Sequence, residues 1–267
     1  MDYGRLPIDE QVAAFRAVLL RNQVLAEVLS RAAILNLPGW YLVAGCLYQT
    51  VWNIVTAQPP EAGILDYDLA YLDGSDLSWQ AEDAVIRAGH RLFGDLPAPV
   101  QIRNQARVHL WYEQKFGVPC PPHESTEAAI DNFEATTACL GVRLLPGGRW
   151  RVYAPHGLSD VFNLVVRPNP VLAPRHVYQA KTARWRKQWP SVTVLPWQRN
   201  NGGLCSRRVR APGDAWAAGH TSCRCATTTS MAMPGSLATS SHRSCSGRTS
   251  TARAPCTKPS RRRPATW

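Results

Sequence analysis

Residues 63–73, GILDYDLAYLD, place two aspartates inside a segment that otherwise suits a sheet interior. Ile64, Leu65, Tyr67, Leu69, Ala70, Tyr71 and Leu72 predict a buried strand. An unpaired buried carboxylate is costly or changes its protonation, so Asp66 and Asp68 call for a cationic partner. Residues i and i+2 of a strand share a face, which sets their Cα atoms roughly 6–7 Å apart. Two carboxylates on one face suit a divalent cation. Magnesium in particular takes few carboxylates and fills its remaining positions with water and substrate phosphates.

The preceding segments fit that idea. WYLVAG, residues 40–45, predicts a short buried strand stopped at Gly45. CLYQTVWNIVTA follows with Leu47, Val51 and Ile54 at helical spacing. A small turn at Gly45-Cys46, between strand and helix, lets phosphate reach the backbone N–H groups of the helix start. Strand, small turn, helix and an Asp-x-Asp strand together predict a site for a nucleoside triphosphate and its metal.

Elsewhere the chain alternates strands and helices and then changes style. Residues 8–35 are helical by periodicity, and DLSWQAEDAVIRAGHRLFG predicts a helix ending at Gly94. PAPVQIRN predicts another strand. Asn104 is placed to cap a helix QARVHLWYEQKF closed by Gly117, although Val108, Leu110 and Tyr112 also alternate as in a strand. Ser125 is a candidate N-cap. LGVRLLPGGRWRVYAP predicts a hairpin around Pro146-Gly147-Gly148, with helices from Ser159 and over RHVYQAKTARWRKQW. The expected class is α+β with an α/β-like core: a mixed sheet flanked by helices, then a hairpin and C-terminal helices, over residues 1–197.

The net charge of +11 does not belong to that body. Residues 200–267 hold eleven Lys and Arg against one acid, Asp214, which leaves the first 199 residues near +1. A nucleic-acid partner therefore lacks electrostatic support from the body, although a cationic arm remains a possible reading of the tail. From residue 198 the chain has no Ile, Phe or Tyr, and its Ser, Thr, Arg, Pro, Gly and Cys follow no period. Residues 198–267 are expected to be disordered. Their composition also matches a GC-rich gene read out of frame. His220, Cys223 and Cys225 lack the second pair of a zinc site. No signal-peptide pattern or membrane-length apolar run is present, so a reducing cytoplasm is the expected setting.

The phrases AGCLYQTVWN, GILDYDLAYLD, DLSWQAEDAVI, NQARVHLWYEQKFG, VYAPHGLSDVF and RPNP resemble a bacterial family of nucleotidyltransferase-type proteins. That family lies within the DNA polymerase beta-like nucleotidyltransferase superfamily. The resemblance spans about residues 8–197. It implies that Gly45 and Cys46 form the phosphate-binding turn, with Cys46 where Gly or Ser is usual. It implies that Asp66 and Asp68 are catalytic and hold Mg2+ or Mn2+. A third acid is expected on the next strand, and Gln101 stands there; Glu113 is a candidate substitute. The implied reaction is in-line attack of an acceptor hydroxyl on the α-phosphorus of a nucleoside triphosphate, with pyrophosphate leaving. The acceptor, whether small molecule, RNA or protein, is not specified. With Gln101 in place, a nucleotide- or RNA-binding protein without turnover is the alternative.

Just past that strand, Arg107 is a candidate for phosphate binding and His109 for proton transfer. Lys181, Arg184 and Arg186 give the last helix a basic face, with Lys181 a candidate nucleotide contact. Each pattern also describes an ordinary solvated helix.

Overall fold

A computed structural model describes residues 2–197. The disorder and frame change expected of residues 198–267 lie outside the described residues.

After a 3-10 turn at Tyr3–Arg5 come two helices, α1 (Ile8–Leu19) and α2 (Gln23–Leu35), where periodicity alone shows one helical stretch. The break is local chemistry: Asn22 leaves helical geometry and its side chain accepts from Leu25 N, capping α2. Strand β1 (Tyr41–Val43) and helix α3 (Gly45–Val55) follow, then β2 (Tyr67–Tyr71), α4 (Trp79–Phe93) and β3 (Val100–Asn104). After β3 the expected single helix is divided. Residues Gln105–Leu110 form a 3-10 turn capped by Asn104, Trp111 takes φ −131°, and a short α5 (Tyr112–Phe116) ends at left-handed Gly117. The alternation of Val108, Leu110 and Tyr112 had marked that weakness.

The remainder comprises α6 (Thr126–Ile130), β4 (Gly141–Leu145), β5 (Arg149–Tyr153), α7 (Ser159–Phe162), β6 (Val165–Val166), α8 (Arg175–Gln188) and β7 (Thr193–Val194). Ser125 caps α6 through Ala128 N, and residues 146–148 turn the β4–β5 hairpin.

Five strands form one mixed sheet in the order β3-β2-β1-β4-β5, with β2–β3 its parallel pair. Strands β6 and β7 pair separately and in parallel. Alternation assigns the sheet's two faces. Tyr67 turns toward the helices, its hydroxyl bonded to Asn22, and Ile102 packs so tightly on α4 that a Cβ on Gly89 would meet its Cδ1 at 2.2 Å. Asp68, Gln101 and Arg103 therefore face the other way.

Aromatic packing attaches α8 to α3. Trp52 lies 5.8 Å from Trp185 and 5.3 Å from Trp189, and Tyr48 lies 5.4 Å from Trp185, measured between ring centroids. Such edge-on contacts add to the burial of large apolar side chains. They fix the helix that carries Lys181 against the helix that begins at Gly45.

Candidate active site

The Gly45 turn is held in an unusual backbone shape. Ala44, the residue before α3, has φ +53° and ψ −115°, a conformation that L side chains rarely adopt. Its N–H donates to Leu140 O at 3.1 Å, while its carbonyl accepts from Leu47 and Tyr48 N. At Gly45 a Cβ would lie 3.2 Å from Gln49 Nε2 and 3.9 Å from the Tyr48 hydroxyl, so a larger residue would crowd the start of α3. Cys46 is buried, and its thiol lies 3.7 Å from Val43 O. Burial pushes its pKa up, and the charges of Asp68 and Asp66 add to that rise. It is a packing thiol rather than an anion.

Strand β2 begins at Tyr67, one residue after Asp66. Asp68 pairs with Val43 of β1 on one side and Gln101 of β3 on the other. Gln101 Nε2 donates to Asp66 Oδ2 at 2.5 Å. The structure thus brings Asp66, Asp68 and Gln101 together where β2 starts. Asp68 is 8% exposed, and its Oδ1 has no hydrogen-bond partner; neither has the buried Oε1 of Gln101. Burial drives the Asp68 pKa up to about 8, and repulsion from Asp66 adds to it, whereas Lys181 and Arg103 pull it down.

Lys181 reaches this region from α8. Its Nζ lies 3.0 Å from an oxygen of Glu134, a buried acid just before the turn at Thr136. Glu134 also acts electrostatically on Asp68 and on the Tyr48 hydroxyl, as does Arg184 on the latter. Lys115 of α5 rests over the Trp111 and Phe116 rings, at 5.4 and 5.1 Å. Its pKa is lowered first by loss of solvent, then by Arg103 and Lys181. Cations from β3 and α8 thus act on Asp68, and Lys115 of α5 lies within electrostatic reach of both, a charge pattern suited to phosphates.

Arg107 is engaged elsewhere, whereas His109 has a buried Nδ1 with no hydrogen-bond partner. Arg107 Nε donates to Leu77 O at 2.9 Å, and its guanidinium pairs with Glu82 of α4. His109 acts on His123, which lies 3.7 Å from Cys120 Sγ. Glu113 is exposed on α5, and Arg186 reaches toward Val194 O. Sequence reading passed over Glu134, although an acid between Phe133 and Ala135 carries the same kind of signal as Asp66 and Asp68.

The donor set at the start of β2 suits a hard divalent ion: two carboxylates and an amide oxygen, of which Asp68 Oδ1 and Gln101 Oε1 are buried and accept no hydrogen bond. Among the described residues no cluster of three His, Cys, Asp or Glu could hold a metal by itself. An ion at this pair therefore needs the amide oxygen, water or substrate phosphates as further ligands. None of the described helices is long and apolar enough to cross a membrane.

A solved structure described as an NMR structure revealing a CCA-adding enzyme head domain shares this fold, with a TM-score of 0.57 and 21% identity. The match covers 72% of this chain and 98% of that one. No curated protein matches the chain. The nucleotidyltransferase family model matches residues 30–194, from the middle of α2 through β7. With that stretch taking in the Gly45 turn, the Asp66–Asp68 strand and Lys181 alike, the chain belongs to the nucleotidyltransferase family.

Proposed function

We propose that the protein uses a divalent metal, Mg2+ or Mn2+, to move a nucleoside monophosphate from a nucleoside triphosphate onto an acceptor hydroxyl. The observation that carries this reading is the buried Asp68 beside Asp66, with an oxygen that no protein donor satisfies. Fold membership alone does not require such a carboxylate; metal-assisted phosphoryl chemistry does. Asp66 and Asp68 would hold the ion, which when bound neutralises charge developing on the transferred phosphoryl group.

The remaining work falls to the chain's own groups. The Gly45 turn and the start of α3 offer room and backbone N–H groups for phosphate. Lys181, Arg103 and Lys115 supply positive charge around the polyphosphate and favour departure of pyrophosphate. Tight attachment of α8 through Trp185 and Trp189 keeps Lys181 in place, so little ordering is needed when substrate arrives. Cys46 contributes a small, neutral side chain where bulk would block the turn. Arg107 and His109 remain candidates only if substrate reaches beyond β3.

The test is calorimetry of the full chain with each of the four ribonucleoside triphosphates, with and without Mg2+. An Asp66→Asn/Asp68→Asn variant is titrated in parallel, and pyrophosphate release is followed in an acceptor screen. Magnesium-dependent binding lost in the variant supports the reading; equal binding by both proteins removes it.

A second reading has an observation of its own. Gln101 stands beside Asp68 and cannot take a proton at neutral pH, which favours a protein that binds nucleotide without turning it over. Magnesium-dependent binding without pyrophosphate release, across small-molecule, RNA and protein acceptors, would select that alternative.

A further inference from the structure

Gln101 has a position and an orientation that its residue type does not explain. It occupies the β3 position paired with Asp68, on the sheet face that carries both Asp68 and Arg103. Its amide is oriented by one contact, since Nε2 donates to Asp66 Oδ2 at 2.5 Å. The reversed amide would set oxygen against oxygen, so Oε1 must point elsewhere. That Oε1 is buried and accepts no hydrogen bond, and the same holds for Oδ1 of Asp68. Two buried oxygens without hydrogen-bond partners, on paired positions of neighbouring strands, form a costly arrangement. Neither Arg103 nor Lys181 donates to them, although both act electrostatically on Asp68. A ligand that satisfies both oxygens at once would remove the cost, and a cation does so most directly.

We propose that Gln101 is a metal ligand through Oε1, completing with Asp66 and Asp68 a three-oxygen site that takes its divalent ion as the triphosphate complex rather than alone. This rests on the nucleotide reading above. The first half follows from the two unsatisfied oxygens. The second follows from charge. An amide in place of a third carboxylate removes one negative charge from the ligand set, and Arg103 and Lys181, the latter paired with Glu134, offset part of what remains. A bare dication entering that site meets weak net attraction. A metal–triphosphate complex is net negative and brings its own oxygen ligands, so it meets the ligands and the surrounding cations together. Gln101 thereby sets the form in which metal is accepted.

The experiment measures Mn2+ binding to the full chain by electron paramagnetic resonance, with and without each ribonucleoside triphosphate. The wild-type protein is expected to hold Mn2+ weakly alone and at least tenfold more tightly with a triphosphate. Gln101→Glu is expected to tighten binding of Mn2+ alone by about tenfold, equivalent to about 1.4 kcal/mol. Gln101→Leu is expected to weaken Mn2+–triphosphate binding by about tenfold, with thermal melting showing that the variant folds. If the Leu variant does not fold, the near-isosteric Glu variant carries the test. Unchanged Mn2+ affinity in Gln101→Glu, or full Mn2+–triphosphate affinity in Gln101→Leu, overturns the proposal while leaving the nucleotide reading intact. Failure of the wild type to bind Mn2+ with any triphosphate overturns both, and the Asp66→Asn/Asp68→Asn variant would then behave no differently from it.

Discussion

The indole N–H of Trp189 donates to Oδ1 of Asn53 at 2.7 Å, joining residues 136 positions apart in the chain. Asn53 uses its other end as well: Nδ2 donates to Pro60 O at 2.9 Å and to Ala62 O at 2.8 Å. One buried amide thus fastens the end of α8 and the loop that leads into Asp66. Its three bonds are satisfied only when both elements are in place.

Asn53→Ala should therefore be more damaging than an ordinary buried polar substitution. It strands the Trp189 N–H and two loop carbonyls, and is expected to cost about 2–4 kcal/mol in urea denaturation. Trp189→Phe keeps most of the packing but leaves Asn53 Oδ1 unpaired, and is expected to cost about half as much. Equal stability of Asn53→Ala and wild type would show that the amide is not the link.

A pH dependence follows from Asp68. Its pKa rises from 3.8 in the unfolded chain to about 8 in the folded protein, because burial opposes the charge. The folded state then holds the proton where the unfolded state has released it. Stability arising from this group is complete below about pH 4 and is lost as pH rises toward 8. In the presence of a metal chelator, Asp68→Asn is expected to lack this decline and to exceed wild type by roughly 1–3 kcal/mol above pH 8. Parallel stability–pH curves for the two proteins would contradict it.

Ala44→Gly should stabilise the protein. A left-handed Ala stores strain that Gly does not, against which stands the greater freedom of unfolded Gly; a net gain of about 0.5–1 kcal/mol is expected by thermal unfolding. A loss of stability would mean that the φ of +53° costs little.

The Lys181–Glu134 pair makes a fourth prediction. Lys181→Met leaves Glu134, whose side chain is 6% exposed, without its counter-ion and is expected to cost about 2–3 kcal/mol. Adding Glu134→Gln should recover much of that loss. A double-mutant cycle with additive costs would show that the two side chains are not coupled.

Much of this architecture is written locally. Ser125 and Asn104 announce caps, Gly117 and Pro146-Gly147-Gly148 announce turns, and Asp66 and Asp68 are conspicuous because the residues around them are apolar. What sequence reading missed is tertiary. Nothing near Glu134 says that Lys181 will meet it, and nothing near Lys115 says that Arg103 stands beside it. Arg107 shows how closeness in sequence misleads. It follows β3, while Asp66 precedes β2, and these strands are parallel, so the two residues leave opposite ends of the pair. At about 3.3 Å per residue, the length of β3 alone separates them by some 15 Å. The division of residues 105–116 was likewise hidden, since capping by Asn104 fixes where the segment starts and not how it winds.

The Gly45 turn, Asp66, Gln101, Glu134 and Lys181 are spread along the chain, and the last of them arrives with α8. All five strands of the main sheet are complete by Tyr153, well before α8 begins. A nascent chain halted between them carries the whole sheet and both aspartates yet lacks Lys181, whose charge acts on Asp68. The order of synthesis thereby puts this charge in place after the scaffold, when the aromatic side chains of α8 pack onto α3.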